Sequence, residues 1–470
     1  MSLKRFVYQF LLLCISVSYC AAQQKQPMEL RGTIVTPSEV FTDGVISISG
    51  SRISQVTSAP GQSHTAVETA SYIFPGLIDL HDHITWNFLP RWNTGEKFTN
   101  RYEWQLRTAY GIALNGPHAK VAADHTLACD AERFGEIKAI VGGATSVVGG
   151  LTPTPNTDDN NCIIGLTRNL DNYAGFDDSM LNKEKVRYEV FPFEMSLSDS
   201  ARVRSGLESG DIKAFLIHVG EGKQSDAATA REFRMLAKRG DGFLRPGVSV
   251  IHGVAFGRPE FIQMKTNGVG LIWSPRSNIE LYGVTTDVRA AKEAGVKIAL
   301  APDWSPSGSD GMLEELKYAA TWNASQTPPI FSEAELVAMA TVVPAQLAGA
   351  ETKIGTLAQG LYADLLLIKK TGENPYQALL HSTPAEVRLV IIGGIPIYGD
   401  RDLMEHFLPG QHLETISVCG KPKALYVEPQ KGVPETQKTF QQMASELESK
   451  LEQWGVSLAQ LATCQGTNLN

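Results

Sequence analysis

The stretch Phe74–His83, FPGLIDLHDH, begins as an apolar run and ends with two histidines on either side of one aspartate. A short apolar run of this kind is typical of a buried strand. In a strand, residues i and i+2 share a face, so the imidazoles of His81 and His83 point in the same direction. Two neutral imidazoles on a rigid strand are suitable ligands for a divalent metal ion. An isolated HxH pair is weak evidence, because backbone carbonyls or water satisfy many such histidines.

Other apolar runs in the chain also end in an ionisable side chain. His218 ends AFLIH, and Glu221 follows it in the sequence VGE. His252 ends SVIH, and Asp303 follows IALAP. A buried ionisable group without a partner costs several kcal/mol, so each of these strand ends needs an explanation. A single cation shared by the side chains would explain all of them together.

The middle of the chain alternates between strand-like and helix-like segments. The strand-like runs include TSVVGG near 145, IKAFLIHV near 212, GVSVIHGV near 247 and VKIALAPD near 296. Helix-like stretches such as ATAREFRMLAKRG and MLEELKYAATW lie between them. This alternation predicts an α/β fold with a parallel sheet covered by helices, and about eight repeats would close it into a barrel. The pattern alone does not distinguish a barrel from an open sheet.

Short alternating segments punctuated by glycine and serine flank this region on both sides. GVISISGSRISQV lies before it, and YADLLLIKK and VRLVIIGGIPIYG lie after it, so we expect the flanks to form one small β domain. The late segment TQKTFQQMASELESKLEQWG has the apolar spacing of an amphipathic helix. The predicted units are a signal peptide (1–22), the first part of the β domain (23–73), the barrel (74–355), the second part of the β domain (356–410) and a C-terminal helical extension (411–470).

The N-terminus has the pattern of a secretory signal peptide. Lys4 and Arg5 precede the apolar run FVYQFLLLCISVSY, and small residues follow it, so we expect cleavage after residues 1–22 and a secreted or periplasmic protein. The run is too short to span a bilayer comfortably, and we expect no stable membrane insertion. Lipid attachment at Cys20 is an alternative that bulky Tyr19 fits poorly, and a buried N-terminal helix is another.

Two of the six cysteines lie in the predicted signal peptide, which leaves Cys129, Cys162, Cys419 and Cys464. An even number of cysteines in an oxidising compartment predicts disulfide bonds. The local pairings are Cys129 with Cys162 and Cys419 with Cys464, although four cysteines allow three patterns.

The charge and composition limit the classes of partner. The chain is 43% hydrophobic and 20% charged, as expected for a soluble globular protein with a large core. Its net charge is −8 and it has no basic run, so we expect no nucleic-acid partner. The expected partner is a small-molecule substrate, and the sequence leaves a homo-oligomer open.

The ordered motifs PGLIDLHDH, IHVGEG, VIHG, WSPRSNIELYG and LAPDWSPSGSDGM resemble the amidohydrolase superfamily. The resemblance is closest to the branch of cytosine deaminases and triazine chlorohydrolases. That branch has HxH on the first strand, HxxE on the fifth, His on the sixth, PxSN after the seventh and Asp on the eighth. The likeness covers roughly residues 30–400. It implies a TIM-type (β/α)8 barrel with a small β-sandwich domain built from both flanks.

The resemblance also implies a metal site. His81, His83, His218 and Asp303 would bind one divalent ion per chain, Zn²⁺ or Fe²⁺. Such an ion lowers the pKa of a bound water to about 7, which provides hydroxide at neutral pH. Binuclear members usually carry a carboxylated lysine on the fourth strand, and the candidate strand RYEVFPFEM has no lysine at its tip. A second ion bridged by Glu194 is the alternative.

The catalytic residues implied by the resemblance are Asp303, Glu221 and His252. Asp303 would accept the proton of the water, Glu221 would protonate a ring or amide nitrogen, and His252 would polarise the developing oxyanion. The expected reaction is hydrolysis of a C–N bond, most commonly deamination of a small cyclic or aromatic compound. Amide, lactam, N-acyl or dipeptide hydrolysis would use the same site. A secreted binding protein with an inactive barrel is an alternative from another class.

Three further residues are weaker candidates for contact with the substrate. Trp86 follows the HxH pair and would stack on a planar substrate or pack in the wall of the site. Arg168 would hold a substrate carboxylate in a bidentate pair or form a salt bridge within its loop. Asn278, in the PRSN motif, would contact the substrate or tie the seventh loop together.

Overall fold

The computed structural model describes residues 28–58, 65–149, 165–173, 175–177, 184–238, 242–428 and 437–464. The predicted signal peptide and Cys162 lie outside the described residues. The strands are β1 Met28–Val35, β2 Val40–Ser49, β3 Arg52–Thr57, β4 Val67–Pro75, β5 Leu77–Asp79, β6 Ala144–Val147, β7 Arg168–Asn169, β8 Val186–Glu189, β9 Ala214–Val219, β10 Val248–His252, β11 Gly270–Trp273, β12 Ile298–Leu300, β13 Leu365–Lys369, β14 Val387–Ile392, β15 Ile395–Gly399, β16 Glu414–Val418 and β17 Lys421–Leu425.

The helices lie mainly between the strands of the middle region and at the C-terminal end. They are α1 Arg101–Gln105, α2 Thr108–Tyr110, α3 Gly116–Ala122, α4 His125–Val141, α5 Leu197–Ser209, α6 Ala227–Lys238, α7 Arg258–Thr266, α8 Pro275–Tyr282, α9 Val288–Ala294, α10 Met312–Ala324, α11 Glu333–Ala338, α12 Val342–Leu347, α13 Pro375–His381, α14 Arg401–Phe407 and α15 Phe440–Glu452. A π-helical turn, Gly111–Asn115, connects α2 to α3. In the described part of the chain, no helix combines the length and apolarity needed to cross a bilayer.

Both flanks of the chain contribute to one sheet of nine strands, in the order β16-β17-β15-β14-β13-β4-β1-β2-β3. β4 pairs with β13 in antiparallel register, from Pro75 opposite Leu365 to Ser71 opposite Lys369. The prediction that the two flanks meet in one β unit is therefore confirmed. The strands belong to a single hydrogen-bonded sheet, and the sandwich form stays a prediction.

The predicted helical extension begins instead with two strands. β16 and β17 pair with each other and extend the nine-stranded sheet beyond residue 410. In β16, Ile416 and Val418 are buried and Thr415 and Ser417 are exposed, which is the period-two alternation of a strand with one face on the core. The prediction was therefore wrong for this segment. The later amphipathic helix is present as α15, whose buried residues are Met443, Leu447 and Leu451.

The middle region contains parallel strands, in sheets ordered β5-β6-β7 and β8-β9-β10-β11-β12. β9 is buried along its whole length, as expected for a parallel strand covered on both faces. Backbone hydrogen bonds also join the two sheets at both junctions. The amide of Val186 donates to the carbonyl of Asp171 at 3.1 Å, and the amide of Asp303 donates to the carbonyl of His81 at 3.0 Å. The predicted α/β class is confirmed.

The C-terminal segment is fixed at several points. Cys419 and Cys464 form a disulfide bond, which confirms one of the two predicted pairings. The amide of Ala459 donates to the carbonyl of Phe88 at 2.9 Å, so the segment contacts the loop that follows β5. The pairing of Cys129 with Cys162 stays a prediction, because Cys162 lies outside the described residues.

Candidate active site

Histidine and aspartate side chains occupy the carboxyl ends of four parallel strands. His81 and His83 follow β5, and His218 lies near the end of β9. His252 ends β10, and Asp303 follows β12. All except His83 are almost completely buried. Because these strands are parallel, their carboxyl ends lie on one side of the sheets, where α/β barrels carry their active sites.

The potential ligand atoms of these side chains converge. Nε2 of His81 lies 3.1 Å from Nε2 of His218 and 3.2 Å from Oδ1 of Asp303. Nε2 of His83 lies 3.3 Å from the same aspartate oxygen. Two groups of potential ligand atoms each lie within 4.8 Å of one another. One group comes from His81, His218 and His252, and the other comes from His81, His83 and Asp303. The structure therefore brings the predicted metal-binding residues together and places His252 beside them.

The donor set fits a divalent cation. Nδ1 of His218 is 3.2 Å from the carbonyl oxygen of Glu189, which only accepts, so Nδ1–H donates there and Nε2 carries a lone pair. Nδ1 of His81 is 2.9 Å from the hydroxyl of Ser274. Burial lowers the pKa of His81, and it lowers the pKa of His218 well below its ordinary value, so both rings are neutral at pH 7. A divalent cation bound between the two Nε2 atoms would be held by imidazoles from β5 and β9.

Asp303 is held as an anion. Burial opposes its ionisation, but His81 and His83 outweigh burial and hold the pKa of Asp303 well below its usual range. Ser277 Oγ donates to its Oδ2 at 2.5 Å. Asp303 has φ 73° and His252 has φ 69°, both in the left-handed region that non-glycine residues rarely adopt. Strained residues of this kind cluster at functional sites, so the backbone supports a functional assignment of both positions.

Asn278 orients His252 instead of contacting a substrate. Its Oδ1 accepts from Nδ1 of His252 at 2.9 Å, and its Nδ2 lies near the hydroxyls of Thr285 and Thr286. The side chain is fully buried and does not line the cavity described below. The prediction of substrate contact was therefore wrong. Because Nδ1 of His252 carries the proton, its neutral ring presents a lone pair on Nε2.

Glu221 lies next to the histidines and is held at both carboxylate oxygens. Tyr282 donates from its hydroxyl to Oε1 at 2.6 Å. Oε2 is 3.6 Å from Nη1 of Arg101 and 3.7 Å from Nε2 of His252. Sequence reasoning missed both partners. Tyr282 lies in the motif WSPRSNIELYG, one helical turn after Asn278, so the spacing of a helix was a usable signal that it faces the site. Nothing in the sequence around Arg101 indicated its partner.

Tyr188 is another residue that sequence reasoning missed. It lies on β8, the fourth parallel strand, and its hydroxyl is 3.1 Å from Nε2 of His83. Burial raises the pKa of Tyr188 well above its ordinary value, so the phenol is neutral. The alternation of RYEV directs this side chain to the histidines, which was a usable signal. Glu194 is exposed and belongs to neither group of ligand atoms.

A cavity of about 360 Å³ opens over the cluster. Its walls are largely aromatic, and they also carry two carboxamides, Gln105 and Asn115. Trp86 is part of this wall, as predicted, and its ring stacks on His118 with centroids 3.6 Å apart. The lining residues are His83, Trp86, Trp104, Gln105, Tyr110, Asn115, Val190, Phe191, His218, Glu221, His252, Leu281, Asp303 and Trp304.

Arg168 lies away from this cavity. Its Nε and Nη2 donate to the two carboxylate oxygens of Asp364 at 2.6 and 2.9 Å, and its guanidinium lies over the rings of Phe176 and Tyr362. The side chain is 3% exposed. The bidentate geometry was predicted correctly, but its partner is a carboxylate of the chain. Arg168 therefore connects β7 to the segment before β13, and its prediction as a substrate contact was wrong.

The chain is similar to known hydrolases and deaminases. The model described as Amidohydrolase family matches residues 213–396. A 5-methylthioadenosine/S-adenosylhomocysteine deaminase of Acetivibrio thermocellus is 25% identical over 357 residues, which cover 70% of this chain and 82% of that protein.

Two solved structures share the fold. The zinc-bound adenosine deaminase of Xanthomonas campestris has a TM-score of 0.59 and 16% identity, covering 79% of this chain and 92% of that chain. The zinc complex of atrazine chlorohydrolase from Arthrobacter aurescens has a TM-score of 0.62 and 17% identity, covering 79% and 95%. The ordered motifs, their convergence at one edge of the parallel strands and these similarities identify the chain as a metal-dependent hydrolase that resembles the amidohydrolase family, whose model matches residues 213–396.

Proposed function

We propose that this protein deaminates a small, planar, unphosphorylated heteroaromatic compound and uses one divalent metal ion per chain. The observation that carries the proposal is the position of Glu221. Its carboxylate lies beside the histidine cluster in a cavity with aromatic walls, and no lysine or arginine of the described residues lines this cavity. The relatives named as deaminases of adenosine and of 5-methylthioadenosine support an aminated heterocycle as the substrate.

The residues divide the chemistry among them. A divalent cation bound by His81, His83, His218 and Asp303 would lower the pKa of a bound water to about 7 and supply hydroxide at neutral pH. Glu221 is a carboxylate in this arrangement, so it would first take up a proton released from the attacking water and then deliver it to a ring nitrogen, which makes the adjacent carbon more electrophilic. The neutral ring of His252 accepts a hydrogen bond at Nε2, and it can polarise an oxyanion only after it takes up a proton.

The composition of the cavity favours deamination over cleavage of N-acyl amino acids or dipeptides. Those substrates carry a carboxylate, and burying an anion without a partner costs several kcal/mol. Among the described residues, no lysine or arginine lines the cavity, whereas Glu221 and Asp303 make it negative. Residues 150–164, which follow β6 in the sequence, also contain no lysine or arginine. Arg168, the predicted carboxylate ligand, is paired with Asp364.

A substrate panel tests this proposal. Metal-reconstituted protein would be assayed for ammonia release from adenosine, guanine and cytosine, and for carboxylate formation from lactams, N-acyl amino acids and dipeptides. We expect ammonia from at least one unphosphorylated heterocycle. We also expect at least ~100-fold less from a matched 5′-phosphate, because the phosphate would be buried without a cation. Carboxylate from amides, with no ammonia from any heterocyclic amine, would contradict the proposal.

We infer that β5 to β12 close into a TIM-type (β/α)8 barrel. The two parallel sheets supply eight strands, and hydrogen bonds link β7 to β8 and the end of β12 to the end of β5. Similarity in fold to the adenosine deaminase and the chlorohydrolase supports this inference. Closure explains how residues 81 and 303, far apart in sequence, come to share a hydrogen bond.

We also propose that the chain is exported and loses residues 1–22. The basic and apolar pattern of the N-terminus supports export, and so does the disulfide bond between Cys419 and Cys464, since such bonds persist in oxidising compartments. N-terminal sequencing of protein recovered from its native cells tests this proposal. We expect Gln23 as the first residue, and an intact Met1 on the cytoplasmic protein would contradict export.

A further inference from the structure

The segment that contains α1 is hydrogen-bonded to the loop after β9 and to the end of α8. The amide of Lys223 donates to the carbonyl of Thr99 at 2.7 Å, and the amide of Arg101 donates to the carbonyl of Glu221 at 3.3 Å. The amide of Phe98 donates to the carbonyl of Leu281 at 2.7 Å. The segment therefore connects the loop that carries Glu221 to the end of α8.

The side chain of Arg101 lies directly behind Glu221. It is 1% exposed, and its Nη1 donates to the carbonyl of Val190 at 2.6 Å and lies 3.6 Å from Oε2 of Glu221. Its Nη2 donates to the hydroxyl of Tyr102 at 3.2 Å. The guanidinium carbon is 5.1 Å from the ring of Phe191, which lines the cavity. A buried guanidinium needs a nearby anion, and the Glu221 carboxylate provides one.

The other oxygen of Glu221 is held by a relay that also begins in α1. Trp104 donates from Nε1 to the hydroxyl of Tyr282 at 3.0 Å, and Tyr282 donates to Oε1 of Glu221 at 2.6 Å. Oε1 of Glu221 thus accepts a hydrogen bond from Tyr282, which is itself bonded to Trp104 of α1. Oε2 lies beside the guanidinium of Arg101, which also belongs to α1. The hydrogen bond at Oε1 and the positive charge beside Oε2 favour this orientation of the carboxylate.

The guanidinium keeps its position although one of its donors is unsatisfied. Within the described residues, Nε of Arg101 has no hydrogen-bond partner, despite its burial. An unsatisfied buried donor costs about 1–3 kcal/mol, so such a group needs a compensating role. The orientation that leaves Nε unpaired is the one that directs Nη1 towards Val190 and Glu221.

We propose that Arg101 is a positioning residue that holds the carboxylate of Glu221 towards His252 and the cavity. The inference rests on the proposed function, because it takes Glu221 as the proton donor of the reaction. Arg101 does not line the cavity and so acts through Glu221. Loss of Arg101 should reduce the rate of turnover and leave substrate binding largely intact.

Steady-state kinetics of three variants test this role. We expect Arg101→Met to lower kcat about 100-fold with little change in KM, because general acid catalysis contributes about 10²–10⁴-fold. Arg101→Lys should recover part of the loss, since it restores the charge but not the planar fork of donors. Arg107→Met is the matched control, because Arg107 is near α1 but exposed and pairs with Glu96 and Glu103. It should keep the kcat of the unmodified protein.

Chemical rescue and crystallography separate positioning from a general structural effect. Millimolar guanidinium should raise kcat of Arg101→Ala and leave the unmodified protein unchanged. In a crystal structure of Arg101→Met, or of Arg101→Lys if the methionine variant does not fold, Oε2 of Glu221 should move away from Nε2 of His252, from which it is 3.7 Å in the unmodified protein. An unmoved Glu221 together with unchanged kcat would overturn the inference while leaving the proposed function intact. If the unmodified protein releases no ammonia, the proposed function fails and the position of Glu221 still tests the inference.

Discussion

We expect the replacement of His218 by alanine to abolish metal binding and turnover together. Nε2 of His218 lies 3.1 Å from Nε2 of His81, so the two nitrogen atoms border the same small volume. Removing this imidazole takes away the ligand atom that β9 contributes to the group, and leaves the histidines that follow β5 without it. We expect less than one tenth of the metal content of the unmodified protein and a rate at least ~10³-fold lower, because the metal supplies the hydroxide. Elemental analysis and ammonia release measure the two effects on the same sample.

The matched control is His406→Ala. His406 is exposed on α14 and lies outside both groups of ligand atoms, so its loss should leave metal content and rate unchanged. A His218→Ala protein that keeps its full metal content would contradict the assignment of this imidazole as a ligand. Circular dichroism of both variants shows whether a loss of metal reflects a loss of fold.

Glu221→Gln should retain the metal and lose turnover. Glutamine has nearly the shape of glutamate, and its amide oxygen can still accept from Tyr282, so the site keeps its geometry. The amide cannot take up a proton and deliver it to the ring nitrogen of the substrate. We expect kcat to fall about 10²–10⁴-fold, the range for loss of a general acid. Metal content and kcat would be measured together, as for His218.

Glu194→Gln serves as the control for Glu221→Gln and also tests the two-metal alternative. Glu194 is exposed in the loop after β8, so its neutralisation should change neither metal content nor rate. A normal rate for Glu221→Gln would refute the proton-donor assignment. A drop in metal content of Glu194→Gln by one ion per chain would support a second ion instead.

The sequence predicted the convergence of four ionisable side chains because each of them ends an apolar run. His81, His218, His252 and Asp303 each follow a stretch that must be buried, and the parallel topology then places the strand ends together. The joining of the two flanks was also predictable, because strand-like segments punctuated by glycine and serine lie on both sides of the middle region. These features depend on local patterns that a sequence displays directly.

The residues that were missed or misassigned depend on contacts between distant segments. Arg101 and Tyr282 lie on helices whose relation to Glu221 is set by loops without periodic patterns. Arg168 has a bidentate partner, but Asp364 lies 196 residues away in the sequence. β16 is short and polar on one face, and β17 shows no period-two alternation, so both strands were less evident than the helical spacing of α15. Such contacts follow from the assembled fold and not from any single stretch.

The most direct test of the shared cation is anomalous X-ray diffraction from crystals loaded with zinc, measured on both sides of the zinc absorption edge. We predict one strong peak about 2.0–2.2 Å from ring nitrogens of His81, His83 and His218 and from a carboxylate oxygen of Asp303. A zinc peak at another place, or an empty cluster in crystals that bind zinc elsewhere, would contradict the account.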